Sequence, residues 1–94
     1  FNNNYAKNNL GIIYKHGYNG IKGQSTISIE YFEEAIHQEN DLLSMYNLAH
    51  IYIYDDTIKK DINKSIELLI KSSKFYHSKI LLGIILIKKF GERL

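Results

Sequence analysis

The chain has 94 residues, 45% of them aliphatic or aromatic, which is enough for one small folded domain. It contains no Cys, which excludes disulfide frameworks and Cys-based zinc or redox chemistry without fixing the compartment. Its net charge of +2 hides a gradient: residues 1–58 carry three basic and seven acidic side chains (−4), residues 59–94 nine and three (+6). That asymmetry points either to an acidic partner at one end or to lysines that solvate the later helices, and the second reading is preferred.

With no Pro and only six Gly, few residues interrupt helix, so helix is expected throughout. The chain starts at Phe rather than Met, so its natural N-terminus is expected to lie upstream. From Tyr5 to His16, the residues Ala6, Leu10, Ile13 and Tyr14 recur at i, i+4, i+7 and i+8, the spacing of one helix face. Gly17 and Gly20 are the expected stop, since glycine takes the left-handed geometry of a helix end without steric cost. After a loop from Tyr18 to Gln24, Ser25 or Thr26 should cap a second helix reaching Gln38. Its apolar stripe is Ile29, Phe32 and Ile36, with Glu30, Glu33 and Glu34 largely outside it.

Asn40 and Asp41 should stop that helix and cap the third, Leu42 to Tyr54. A loop from Asp55 to Lys60 follows, and Asp61 caps a fourth helix through about Lys74. Ile62, Ile66, Leu69 and Ile70 form its buried stripe; Lys64, Lys71 and Lys74 face water. A fifth helix runs from near His77 to Phe90, with Gly91 as its stop. The longest apolar run, Ile80 to Ile87, spans eight residues. A bilayer span needs about 20, so no membrane helix is expected.

These elements repeat. AKNNLGIIYKHG returns as SMYNLAHIYIYD and again as SKILLGIILIKK, with Leu10-Gly11, Leu48-Ala49 and Leu82-Gly83 marking starts 38 and then 34 residues apart. SIEYFEEAI, from Ser28 to Ile36, returns as SIELLIKSS, from Ser65 to Ser73, at an offset of 37. Self-similarity at this period is the signature of a helical array. One domain of units 4–40, 41–75 and an incomplete 76–94 is expected, the last lacking a second helix. An unpartnered helix so apolar implies a longer array or a covering partner.

At these residues the chain resembles the Sel1-like repeat family, relatives of tetratricopeptide repeats. The family's first helix reads roughly A-x-x-x-L-G-x-x-Y. Ala6, Leu10, Gly11 and Tyr14 match it, as do Ser44, Leu48, Ala49 and Tyr52, and then Ser78, Leu82, Gly83 and Leu86. Ser28, Tyr31, Phe32, Ala35 and Ile36 match the second helix, with Ser65, Leu68, Leu69, Ser72 and Ser73 as its second copy. The resemblance implies an all-α fold, a right-handed α–α solenoid of five helices and about two and a half repeats. It also implies an adaptor or scaffold role, without catalysis or cofactor.

Positions that differ between copies are the candidates for recognition. Asn8, Ile12 and Lys15 in the first unit correspond to Tyr46, His50 and Ile53, then to Ile80, Ile84 and Ile87. Spacing of i, i+4 and i+7 puts each trio on one helix face. In related arrays that face lines a concave groove, with Tyr5, Leu43 and His77 one turn earlier. The expected groove is polar at its N-terminal end and apolar toward the third unit, suited to a protein or peptide with one hydrophobic anchor. The competing reading is that Ile84 and Ile87 pack on a neighbouring helix. Tyr14 and Tyr52 hold a repeated core position, which leaves Tyr46 and Tyr54 as better interface candidates.

No pattern for chemistry stands out. His16, His37, His50 and His77 have no ligand-like spacing, so neither a metal site nor a general base is expected. Glu30, Glu33 and Glu34 lie on a wet stripe, and Gly17, Gly20 and Gly23 precede a helix without a preceding strand. A single Arg argues against nucleic-acid binding. The expected function is therefore an interaction module; the alternatives are a structural or self-associating array, or a regulatory appendage of a larger enzyme.

Overall fold

The computed structural model describes residues 4–17 and 23–91, which form five helices and, among those residues, no strand. They are α1 (Asn4–His16), α2 (Ser25–Glu39), α3 (Leu42–Tyr54), α4 (Ile62–Lys71) and α5 (Tyr76–Gly91). The expected stop Gly20, and most of the loop before α2, lie outside the described residues. Helix α1 packs on α2 and α3 on α4; α3 also packs on α2, and α5 on α4. The result is an elongated stack, 47 × 28 × 18 Å.

Local chemistry sets most of the boundaries. Gly17 adopts φ 83° after α1, a left-handed geometry that favours glycine. Asn40 takes the same role after α2 at φ 53°, its N–H donating to Ile36 O, and Asp41 then caps α3 by accepting from Ser44 N at 3.0 Å. Asp61 caps α4 in the same way, accepting from Lys64 N at 3.0 Å. Two expectations change. Gln24, not Ser25 or Thr26, occupies the N-cap of α2, without a side-chain bond, because the Ser25 hydroxyl donates to the Asp55 carboxylate instead. Helix α4 ends at Lys71 rather than near Lys74, where Ser72 turns the chain and its hydroxyl bonds Leu68 O and Ser78 Oγ, both at 2.8 Å.

The core runs through Phe32, Leu48, Ile51 and Leu69, with Met45, Leu68, Leu81 and Ile85 around them. Small residues let the helices approach. Ala35 and Ala49 are fully buried, and a Cβ on Gly11 would lie 2.5 Å from the Phe32 ring. The expected stripe of α1 needs correction. Leu10 and Ile13 are 37% and 43% exposed, whereas their counterparts Leu48 and Ile51 stand at 1% and 0%. Ala6 is exposed too. The cause is the neighbour: Leu48 and Ile51 sit between flanking helices, while among the described residues no helix lies before α1. In the third copy Leu81 and Ile85 enter the core and Leu82 is only half-buried.

Candidate partner-binding surface

The three faces of each first helix have separate duties. The face carrying Lys7, Gly11 and Tyr14 meets α2: Lys7 pairs with Glu34 at 3.2 Å and Tyr14 stacks on Tyr31 at 5.7 Å. The trio Asn8, Ile12 and Lys15 turns toward the following unit. Asn8 is buried, and its Oδ1 accepts from Ser44 Oγ and Asn47 Nδ2, both at 3.1 Å. Ile12 is half-buried against the core, and Lys15 Nζ lies 3.2 Å from His50 Nδ1.

In α3 the equivalent Tyr46 meets the rings of Phe75 and His77 edge-on, at 5.5 and 6.1 Å. Ile53 is buried. Asn8 is therefore a stacking contact between units, because the following helix covers it, while Ile53, also buried, edges an open cleft against α5. The same face of α5 meets no helix among the described residues, and Ile80, Ile84 and Ile87 are 47%, 45% and 74% exposed.

What remains accessible is a ridge of rings. Tyr54 contacts His50 at 4.7 Å, His50 contacts Tyr46 at 6.2 Å, and the series continues through His77, Phe75 and the exposed Tyr76. Tyr46, His50, Tyr54 and His77 are legible as candidates in the sequence; Phe75 and Tyr76 are not, because they fall in the join between two helices, outside the repeated positions. The join between Ser73 and Ser78, four residues holding two adjacent aromatics, is the signal that marks a turn there.

Electrostatics concentrate at one corner of the ridge. An ammonium can only donate, so the Lys15–His50 contact requires neutral imidazole with its proton on Nε2. Burial pushes the His50 pKa below its ordinary value, and the charges of Lys15 and His16 add to this. Burial also lowers Lys15, against the opposing pull of the Asp55 carboxylate. Hydrogen bonds from Ser25 and then Thr57 hold the Asp55 carboxyl below the usual range, with Lys15 contributing last. Asp55 thereby joins the loop after α3 to the start of α2.

Among the described residues no group of three or more His, Asp or Glu side chains could hold a metal ion, and no helix is long and apolar enough to cross a membrane. The Sel1 repeat family model matches residues 4–40 and 42–74, well over half of the chain. No curated protein and no solved structure matches it. Sel1 repeats are helical solenoids, non-catalytic, and generally serve protein interaction. On its paired helices, its small-residue contacts and that match, the chain belongs to the Sel1 repeat family.

Proposed function

We propose that this chain is a protein- or peptide-binding module whose contact surface is the aromatic–histidine ridge along α3 and the start of α5. The observation that carries this reading is the unbroken ring series from Tyr54 through His50 and Tyr46 to His77, which crosses from one unit to the next. Rings of this kind supply large contact area with little rotamer freedom to lose, and Tyr is enriched where interfaces concentrate their energy. Of the positions expected from sequence, Tyr46, His50 and Lys15 border the ridge, whereas Ile84 and Ile87 lie on the open face of α5.

The test is selection of binders from a random peptide library, with their site mapped by NMR shift changes. The reading expects shifts at Tyr46, His50, Tyr54 and His77, and loss of affinity of about tenfold or more on Tyr54→Ala with His77→Ala. Glu33→Ala, on the outer side of α2, should leave binding unchanged. Binders that map to α2, or a library that yields none, would count against it.

A second reading, a self-associating array, is favoured by one observation: apolar side chains are exposed at both ends of the stack, Leu10 and Ile13 on α1 and the three isoleucines on α5. The concentration dependence of sedimentation separates the two.

A further inference from the structure

Beside the ridge, α3, the start of α4 and the last turns of α5 enclose an open cleft of about 420 Å³. Its apolar wall is built by Ile53, Ile62 and Ile85, and its rim carries Lys60, Lys88 and Lys89. The volume falls in the lower part of the range of roughly 300–1,000 Å³ typical of ligand pockets, room for one or two large apolar side chains. Two of the rim lysines are tethered: Lys60 bonds Ile53 O at 2.9 Å and pairs with Asp56 at 3.2 Å, and Lys89 bonds Asn63 Oδ1 at 3.2 Å. Lys88 pairs with no carboxylate among the described residues. The three rim lysines face one ion-paired carboxylate, Asp56 on Lys60, so the rim of the cleft is positive.

We infer that this cleft binds an acidic peptide segment, seating a large apolar side chain between Ile53 and Ile85 while flanking carboxylates meet Lys88 and Lys89. The inference rests on the peptide-binding reading above and assigns it a partner chemistry. Charge complementarity selects the sign of the ligand, and the shape of the surroundings selects a peptide over a fatty acid. Tyr54 also borders a second cleft of about 220 Å³, lined by Lys15, His16, His50, Ile51 and Asp55. A peptide laid across Tyr54 can put an apolar side chain on one side of it and a polar one on the other. An acyl chain crossing Tyr54 could use Ile51 in the second cleft but would have to desolvate Lys15 and Asp55 without bonding them, which a peptide's polar groups can do.

The experiment uses the 94-residue chain and a capped hexapeptide of two glutamates, leucine, phenylalanine and two glutamates. Its partners are the same peptide with lysines for glutamates, the same with alanines for the central pair, and laurate. Methyl NMR follows Ile53, Ile62 and Ile85, and fluorescence anisotropy gives affinities at low and high salt. The expected result is saturable shifts at these three methyls with the acidic peptide, weakened by salt and by the alanine exchange. Lys88→Glu with Lys89→Glu should lower its affinity about tenfold or more, and charge-steered contacts should respond to salt in the same direction. These side chains lie outside the core, and an unchanged circular dichroism spectrum checks that the fold persists.

Equal binding of the acidic and basic peptides would overturn the inference, as would no binding or laurate alone shifting the three methyls. Binding that shifts Tyr46, His50 and His77 but spares Ile85 would overturn the cleft assignment and leave the ridge reading standing.

Discussion

Gly11 and Gly83 occupy the same repeat position, yet alanine should act on them with opposite sign. A Cβ on Gly11 would meet Phe32, which is fully buried and has nowhere to move; on Gly83 it would meet nothing within 4 Å. Overpacking of this kind costs about 1–3 kcal/mol, more than the ~0.5–1 kcal/mol that alanine gains over glycine in a helix. Thermal unfolding should therefore show Gly11→Ala losing stability and Gly83→Ala gaining it, at about 4–8 °C per kcal/mol in a domain of this size. Two stabilised variants would mean that α1 and α2 stand farther apart. Asn8 is a second sharp position. Its single carbonyl accepts from Ser44 and the half-buried Asn47; Ser44 Oγ keeps Asp41 Oδ2 as an acceptor at 2.5 Å, so Asn8→Ala should cost about 0.5–1.5 kcal/mol for each bond lost rather than strand both donors. Ser65→Ala should cost about 1 kcal/mol: Ser65 N still serves Asp61 O, but the hydroxyl's buried bond to Ala49 O at 3.1 Å, which ties α4 to α3, is lost.

His50 ties a residue to pH. Its folded pKa lies below the ordinary value of 6.5, so the unfolded chain binds more protons in the window just beneath 6.5. The stability that neutral His50 contributes is complete above pH 6.5 and drains away as pH falls through the folded pKa. Denaturant midpoints should drop on going from about pH 7.5 to 5.5, and His50→Gln should flatten that slope. A slope equally steep in the variant would move the effect to another group. Asp55 has the carboxylate version of the same sign: its contribution is present above 3.8 and lost in stronger acid.

At the scale of the element, caps were legible and neighbours were not. Asn40, Asp41 and Asp61 declare helix ends through their own short side chains, so three boundaries follow from sequence almost to the residue. The left-handed Asn40 is a direct check. Asn40→Gly should be neutral or stabilising, whereas Asn40→Val should cost about 1–2 kcal/mol, read by chemical unfolding. Ser72 and Ser73 are compatible with helix, so the sequence carries α4 past its end; the Ser72–Ser78 bond, which reaches α5, accompanies the turn there. Burial of the first-helix stripe was misjudged for a related reason. Leu10 and Leu48 are the same residue at the same register, and only the helix lying against each decides which one is buried. The ridge is half legible: repeats expose positions that differ, but the trios so found lie on the face that stacks units, and Phe75 in the turn and Tyr76 at the first residue of α5 have no counterpart in the repeat pattern.

For the molecule as a whole, magnitude decides between a monomeric module and a self-associating array. The three exposed isoleucines of α5 present apolar area on the order of 300 Å², no more than the largest patch on an ordinary monomer, roughly 300–600 Å². A stable interface needs about 1,000 Å² or more summed over both partners, so about 500 Å² from each copy. Contact of α5 with the open side of α1 would also be head-to-tail, leading to rings or filaments rather than a closed dimer, and contact of α5 with a second α5 would bring Lys79, Lys88 and Lys89 of each copy together. Both geometries disfavour a tight complex. Sedimentation velocity should accordingly find a monomer at about 10 μM, with association emerging only toward the millimolar range that such an area supports. Ile84→Lys with Ile87→Lys should remove that residual association while moving stability by no more than about 0.5 kcal/mol, as expected of exposed side chains. An oligomer at 10 μM that these changes dissolve would make the α5 face an assembly surface and the array reading the better one.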